Sequence, residues 1–470
     1  MFTNIETLGV GYIIATAHCE LGMSNFEESM INSAGFIGVV VTAMAWGYVS
    51  DRFGRRKVML PAIIIASCIS VASSFSINFA MMFILRLLTG SLVSASSATV
   101  YAYLGEMHSD SRRPMAIALA SVFISFTFIA LPILAWIIMP RTWSVPVGQV
   151  TLTSWRFFIW TWCTSGIGAA IMLIFLPESP RFLYTSQGQQ AAVPVLAQIY
   201  AWNFKKKPED FPVIAKHTKE VFFTFHDFWL MIKPPLRRCV VITHISMFMV
   251  FLLSSGLYTW MPVILNEVLF NVNQPVDICY IMENNEHKKG KIVSYTWIFF
   301  QILDDSAGCN EKKLHNLLYP ISILMGVICA VTYTSIGFLM RRFNKIYVYC
   351  AILGTCTLLI LVSTLIPKLW VAIFMLITGL SSGCVAAALA AISVDVFPTN
   401  VRALALCTLY MGGRLGAAVG AALLGIFLEY HCTAIILAHT LVTIASLLLW
   451  FLWPNTVKVR AEMQSRGFHY

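Results

Sequence analysis

Apolar runs of about twenty residues, each closed by a short polar or glycine-bearing stretch, recur along nearly the whole chain. A helix crosses a hydrocarbon layer of ~30 Å with about 20 residues, so runs of this length predict membrane spans. They fall at 30–50, 58–77, 79–105, 114–139, 156–176, 239–265, 317–340, 345–366, 369–391, 401–427 and 432–453, with a shorter run at 5–18. The result is twelve spans in two groups of six. The predicted plan is a six-helix half at 1–176, a central loop at 177–238, a second half at 239–453 carrying an outer loop at 266–316, and a tail at 454–470. The shorter first run is the odd one. Taking His18 as its outer end puts Glu6 about 18 Å deeper at 1.5 Å per residue, which predicts that the chain begins partway through that helix. A signal peptide is not expected there, because no basic stretch precedes the run.

The two groups are copies of one another. Glu106 and Arg113 recur 289 positions later as Asp395 and Arg402, and Leu88-Thr89-Gly90 recurs at the same offset as Ile377-Thr378-Gly379. Parallel repeats of this kind predict two halves related by an axis along the membrane normal, with a solute site between them near the midplane.

Composition agrees with a membrane interior. The chain of 470 residues is 58% apolar and 11% charged, too apolar for one soluble core. Of its 32 Lys and Arg, 22 fall in the loops and tail that share a side with the central segment and 8 in the opposite loops. That asymmetry predicts a cytoplasmic central loop and tail. The net charge of +10 then reports topology and contact with anionic lipid; dispersed over many loops, it gives no reason to expect nucleic acid as a partner.

Between the second and third spans lies GYVSDRFGRRK, from Gly47 to Lys57. Gly47, the Asp51-Arg52 pair, Gly54 and the Arg55-Arg56-Lys57 triplet resemble, at every specified position, the loop signature of the major facilitator superfamily. The resemblance implies an all-α integral membrane fold of twelve helices in two pseudo-symmetric halves. It also implies that Asp51, Arg52, Glu106, Arg113, Asp395 and Arg402, with Arg55 and Arg56 beside them, close the inner mouth by ion pairing. The corresponding stretch of the second half, GFLMRRFNK, is degraded: Arg341 stands where Asp51 would, and Asn344 where Gly54 would.

Charges inside spans mark functional candidates. Glu6 is one. Arg86 lies about seven residues, or ~10 Å, from the outer surface and is within snorkelling reach of it. Arg414 lies near the centre of the eleventh span within GGRLGAAVG, whose Gly412, Gly416 and Gly420 predict a closely approaching helix. Tyr258 and Trp260 on the seventh span are candidates, with Glu6 and Arg414, for lining the solute cavity. After the sixth span, Ser179 followed by Pro180 reads as a helix N-cap and first residue. The segments from Ala191 to Asn203 and Lys205 to Lys207 predict surface helices that latch the halves together. Twelve cysteines give no CxxC pair and no metal-ligand spacing. Cys279 and Cys309 share the outer polar loop and are the expected disulfide. No N-glycosylation sequon occurs.

Over essentially the full length, the strings IETLGVGY, LPESPRFL with QIYAWN, SGLYTWMP, VDVFPTNVRALAL and GGRLG resemble the synaptic vesicle glycoprotein 2 family, especially its insect-type relatives, and more distantly organic-ion and sugar transporters. The outer loop at 266–316 is shorter than that family's luminal domain. The resemblance implies a multi-pass protein of the plasma membrane or a secretory vesicle. Two functions are open: a secondary transporter moving a small organic solute by alternating access, with proton or ion coupling, or a vesicle-membrane scaffold or receptor that keeps the fold without transport. No nucleotide loop, metal cluster or nucleophile constellation supports an enzyme, no cofactor is called for, and a monomer is expected.

Overall fold

A computed structural model describes residues 1–108, 113–141, 144–147, 150–212, 231, 233–270, 278–283, 314–366, 368–427, 431–454 and 456–465; the side chains of 15, 98, 113–122, 147, 150, 283, 399, 400, 402, 403 and 460 also fall outside the described set. The helices are α1 (Phe2–Leu8), α2 (Val10–Leu21), α3 (Asn25–Phe53), α4 (Arg55–Ser73), α5 (Phe79–Glu106), α6 (Arg113–Ile138), α7 (Ser154–Phe175), α8 (Pro180–Gln187) and α9 (Gln189–Phe204). They continue with α10 (Arg237–Phe270), α11 (Ile278–Glu283), α12 (Leu318–Arg342), α13 (Lys345–Ser363), α14 (Leu369–Gly379), α15 (Ala386–Val396), α16 (Thr399–Phe427), α17 (Cys432–Leu449) and α18 (Thr456–Ser465). A small hairpin, β1 (Val145–Val147) and β2 (Val150–Leu152), pairs antiparallel with Val145 opposite Leu152.

Ten helical rods are long and apolar enough to cross a membrane, counting α14 and α15 as one, and α6 adds the apolar stretch Phe123–Ile138. The twelfth is α1 with α2, joined at Gly9, whose dihedrals stay helical (φ −64°, ψ −24°). A Cβ at Gly9 would sit 2.4 Å from the Trp162 ring, so the chain needs glycine to lie against α7 there. Local chemistry sets the ends. Ser24 and Glu27 form a capping box at the start of α3, and Asn78, Ser179 and Asn344 cap α5, α8 and α13.

Glycine sets the spacing within each half. A Cβ at Gly90 of α5 would meet the Gly35 carbonyl of α3 at 2.2 Å, and one at Gly38 the Leu87 carbonyl at 2.2 Å. In the second half, Gly416 and Gly420 of α16 bring that helix onto the Phe248 and Leu252 carbonyls of α10, at 2.2 and 2.1 Å by the same measure. Gly412 is looser, its nearest such neighbour lying 3.9 Å away. Only the last two glycines of the GxxxGxxxG stripe serve close approach.

The halves meet where α3 packs on α16, with Phe36 against Ala417 and Ala418, and where Gly326 of α12 reaches the Phe128 carbonyl of α6. The largest apolar cluster draws on Tyr12 and Ile13 of α2, Ile138 of α6, Ile264 and Val268 of α10, and Leu318 and Tyr319 of α12. These residues lie toward the face opposite the Gly54 turn. On that opposite face Trp136 stacks on Tyr319 with centroids 6.4 Å apart, and Gly425 comes against Ser29. The halves are therefore sealed on the face away from the basic loops.

One expectation is corrected here. Cys279 of α11 is bonded to Cys432 at the start of α17, not to Cys309, which lies outside the described residues. Sharing a loop placed Cys279 and Cys309 near each other in sequence, whereas packing of α11 on α17 sets which sulfur is in reach. Cys19 is also disulfide-bonded. The helix α8 docks on the first half. Glu178, Ser179 and Phe182 close over the Gly54 turn and Glu106.

Candidate functional site

The Gly54 turn is the first of three polar assemblies. Gly54 has φ 109°, open to glycine but strained for other residues, and a Cβ there would lie 2.7 Å from Glu178 Oε2. Glu178 accepts from the backbone N–H groups of Arg56 (3.0 Å) and Lys57 (3.2 Å), capping the otherwise bare start of α4. Arg56 donates to the Leu173 and Ile174 carbonyls at the end of α7 (2.8 and 2.7 Å). Arg55 sits between two carboxylates, Asp51 at 2.8 Å and Glu106 at 3.0 Å, and Glu106 also accepts from Ser179 at 2.5 Å. Arg52 instead turns to Tyr48 (3.4 Å) and Phe53. Gly47 lies in open space.

The second half answers with Lys345 and Asp395, 2.6 Å apart. Lys345 is the counterpart of Arg55, as Asp395 is of Glu106, so the cation–carboxylate pair survives although the loop around it has changed. Asn344 explains the change. It takes φ −60° and caps Ile346, so no left-handed residue is needed. The repeated carboxylate–arginine spacing carries no sign of which cation meets Glu106 or Asp395. The side chains of Arg113 and Arg402 lie outside the described residues. The pairs seen at Asp51, Arg55, Glu106 and Asp395 each stay within one half.

The second assembly corrects the reading of Arg86. It does not snorkel: its side chain is 1% exposed and donates to Glu6 Oε2 at 3.0 Å, and Glu6 is equally buried. Ser70 donates to the same oxygen at 3.0 Å, Trp162 donates to Ser70 at 3.2 Å, and Arg86 also reaches Ser73 and lies over the Trp162 ring at 5.1 Å. Helices α1, α4, α5 and α7 each contribute, so the pair is enclosed by the first half. A neighbouring cluster near the opposite face fixes Glu20 to Arg156 (2.6 Å) and to Trp155 (2.6 Å).

The third assembly lies between the halves. Tyr258 of α10 stacks on Phe128 of α6 at 4.7 Å, and its hydroxyl is 2.6 Å from the Cys329 sulfur of α12. Its ring edge also approaches Gly383, within the 3-10 segment Leu380–Val385 that interrupts the α14–α15 rod. A 3-10 break in mid-span marks a hinge-like position; no sequence signal beyond Ser381-Ser382-Gly383 announced it. Trp260 is different from its neighbour. It is 4% exposed and donates to the Ala421 carbonyl at 2.8 Å, so it fastens α10 to α16 instead of lining a cavity. Arg414 shares a helix face with Tyr410, which stacks on Tyr101 of α5 at 6.2 Å. Among the described residues no grouping of His, Cys, Asp and Glu suits a metal.

Twelve rods, duplicated chemistry at Arg55 and Lys345, and an interhalf seam define the architecture. The family model of the Major Facilitator Superfamily matches residues 2–282 and 317–467. The chain belongs to that superfamily. Solved structures share its fold. The partially occluded inward-open form of the xylose transporter XylE from E. coli has a TM-score of 0.67 at 13% identity, covering 97% of this chain and 96% of that one. A D-xylose-proton symporter has a TM-score of 0.63 at 16% identity, covering 97% of each. Among curated proteins, synaptic vesicle glycoprotein 2A of Homo sapiens is 27% identical over 228 residues, 48% of this chain and 30% of that protein. Synaptic vesicle glycoprotein 2C of Mus musculus is 26% identical over 209 residues, 44% of this chain and 29% of that protein. The matched stretch thus spans about 30% of those relatives' length.

Proposed function

We propose that this multi-pass membrane protein is a secondary transporter that moves a small organic solute by alternating access. The supporting observation is the seam itself: the halves are sealed on one face, and each carries its own cation–carboxylate pair on the other. A pair held within a half rigidifies that half and leaves the seam free to open. Differential contacts of 1–3 kcal/mol between two states are enough to bias such an equilibrium. On this reading the Gly54 side is cytoplasmic, Tyr258 and Arg414 face the solute path, and Glu6 with Arg86 couples transport to protons. A carboxylate held by one guanidinium and one hydroxyl can exchange a proton when the helices of the first half loosen around it. The chain works as a monomer, in the plasma membrane or a vesicle membrane.

Reconstitution of the protein into liposomes tests this, with uptake of organic cations, anions and sugars measured with and without a pH gradient. Gradient-driven accumulation that Glu6→Gln abolishes while exchange persists is the expected result. No uptake of any solute by folded protein would favour the second reading, a vesicle-membrane scaffold or receptor. That reading draws on the likeness to synaptic vesicle glycoprotein 2A and on the replacement of Asp51 by Arg341 in the second copy.

A further inference from the structure

Arg414 differs from the other intramembrane cations. Arg86 has Glu6 and Arg156 has Glu20. Among the described residues, no carboxylate lies within ion-pair distance of Arg414, which sits midway along α16. Its surroundings fix its direction. Tyr410 is four residues before it and stacks on Tyr101 of the first half; Ala417 and Ala418, three and four after it, pack on Phe36 of the first half. Residues at these spacings share one face, so Arg414 is on the stripe of α16 turned to the seam. Asp51 and Glu106 are held by Arg55, and Glu6 is shut inside the first half.

We propose that the transported solute is an organic monoanion with a flat apolar body, its acid group held by Arg414. The inference rests on the transport reading above. A guanidinium kept near mid-membrane without a protein anion is costly, and a carboxylate or sulfonate arriving from solution meets its fork geometry. The rest of the seam is aromatic: the Tyr101–Tyr410 pair lies one turn from Arg414, and the Phe128–Tyr258 stack also bridges the halves. Rings of this kind take up a planar body by offset stacking. A polyol would need amide donors and acceptors in number. Glutamine is absent from all the spanning helices, and Asn32 is the only asparagine far from a helix end. The shared fold with xylose transporters therefore does not carry their sugar to this site.

The test uses the full chain in nanodiscs and 2-naphthoate as a fluorescent probe, beside its isosteres 2-naphthamide and 2-naphthylmethylammonium and the polyol glucose. Wild type is expected to bind naphthoate at least tenfold more tightly than either isostere. Arg414→Gln should remove that preference, Arg414→Lys should restore part of it, and Tyr410→Ala should weaken acid and amide alike. Equal binding of acid and amide by wild type overturns the proposal without recourse to any variant. So does an unchanged preference in Arg414→Gln. Uptake of glucose or an organic cation in liposomes without naphthoate binding sinks the anion assignment and leaves transport standing. Naphthoate binding with no uptake of any solute supports the anion site and removes the transport reading.

Discussion

Removing the guanidinium of Arg86 is the sharpest perturbation of the first half. Arg86→Met takes away a 3.0 Å contact to Glu6, the donors to Ser70 and Ser73, and the cation over the Trp162 ring. Both side chains are 1% exposed, so water cannot replace what is lost. Breaking one side of such a pair costs about 3–5 kcal/mol, because the other charge stays buried without compensation. Glu6→Gln should cost a similar amount for the same reason. In the double variant no buried charge remains, and stability should return to within about 1–2 kcal/mol of wild type, since an apolar replacement of a buried pair is often neutral. Thermal unfolding of the full protein in detergent, followed by tryptophan fluorescence, measures all four species. The expected coupling is several kcal/mol. Additive single costs, within about 0.5 kcal/mol, would refute the claim that the two residues act as one buried unit.

Further outcomes follow from the packing. Gly420→Ala places a methyl 2.1 Å from the Leu252 carbonyl and should destabilise by about 1–3 kcal/mol, whereas Gly412→Ala should be within about 0.5 kcal/mol of wild type; unfolding of the two variants side by side decides. Peptide mapping without reductant should recover Cys279 joined to Cys432, and Cys432→Ser should cost about 2–5 kcal/mol. Lys345→Met should release Asp395 as Arg55→Met releases Glu106. If both pairs hold their halves rigid, hydrogen exchange should rise at the nearby helix ends in each variant and stay unchanged in the opposite half.

Much of this fold was legible in the chain because the bilayer imposes a length and a composition on every span. The twelve runs, the capping Ser179-Pro180 and the 289-residue repeat all follow from that local chemistry. Partner choice was less legible. Glu6 and Arg86 are 80 positions apart, and nothing in their own segments says that α1 and α5 bring them together. The repeat named Glu106 and Asp395; the described cations beside them, Arg55 and Lys345, come from the turn before α4 or α13, which projects its first basic residue across to the neighbouring helix end. Trp260 and Tyr258 looked alike as aromatic candidates. Two residues of helical rotation separate a buried fastener from a ring at the seam. The Cys279 pairing failed for the same reason: proximity in sequence is a weak guide once helices decide which loop meets which.

Distances between spin labels on the two faces test most directly whether the halves rock. One pair of labels goes at Phe53 and Phe343 on the basic face, 57% and 61% exposed, and another at Ile77 and Leu365 on the opposite face, 53% and 73% exposed. Exposed Cys68 and Cys407 are replaced beforehand. A wedge at Gly425, where a Cβ would fall 2.0 Å from Ser29 Oγ, forces the sealed face apart. Rocking halves require Gly425→Leu to lengthen the Ile77–Leu365 distance and shorten the Phe53–Phe343 distance together. A lengthened distance on one face with no change on the other would contradict it.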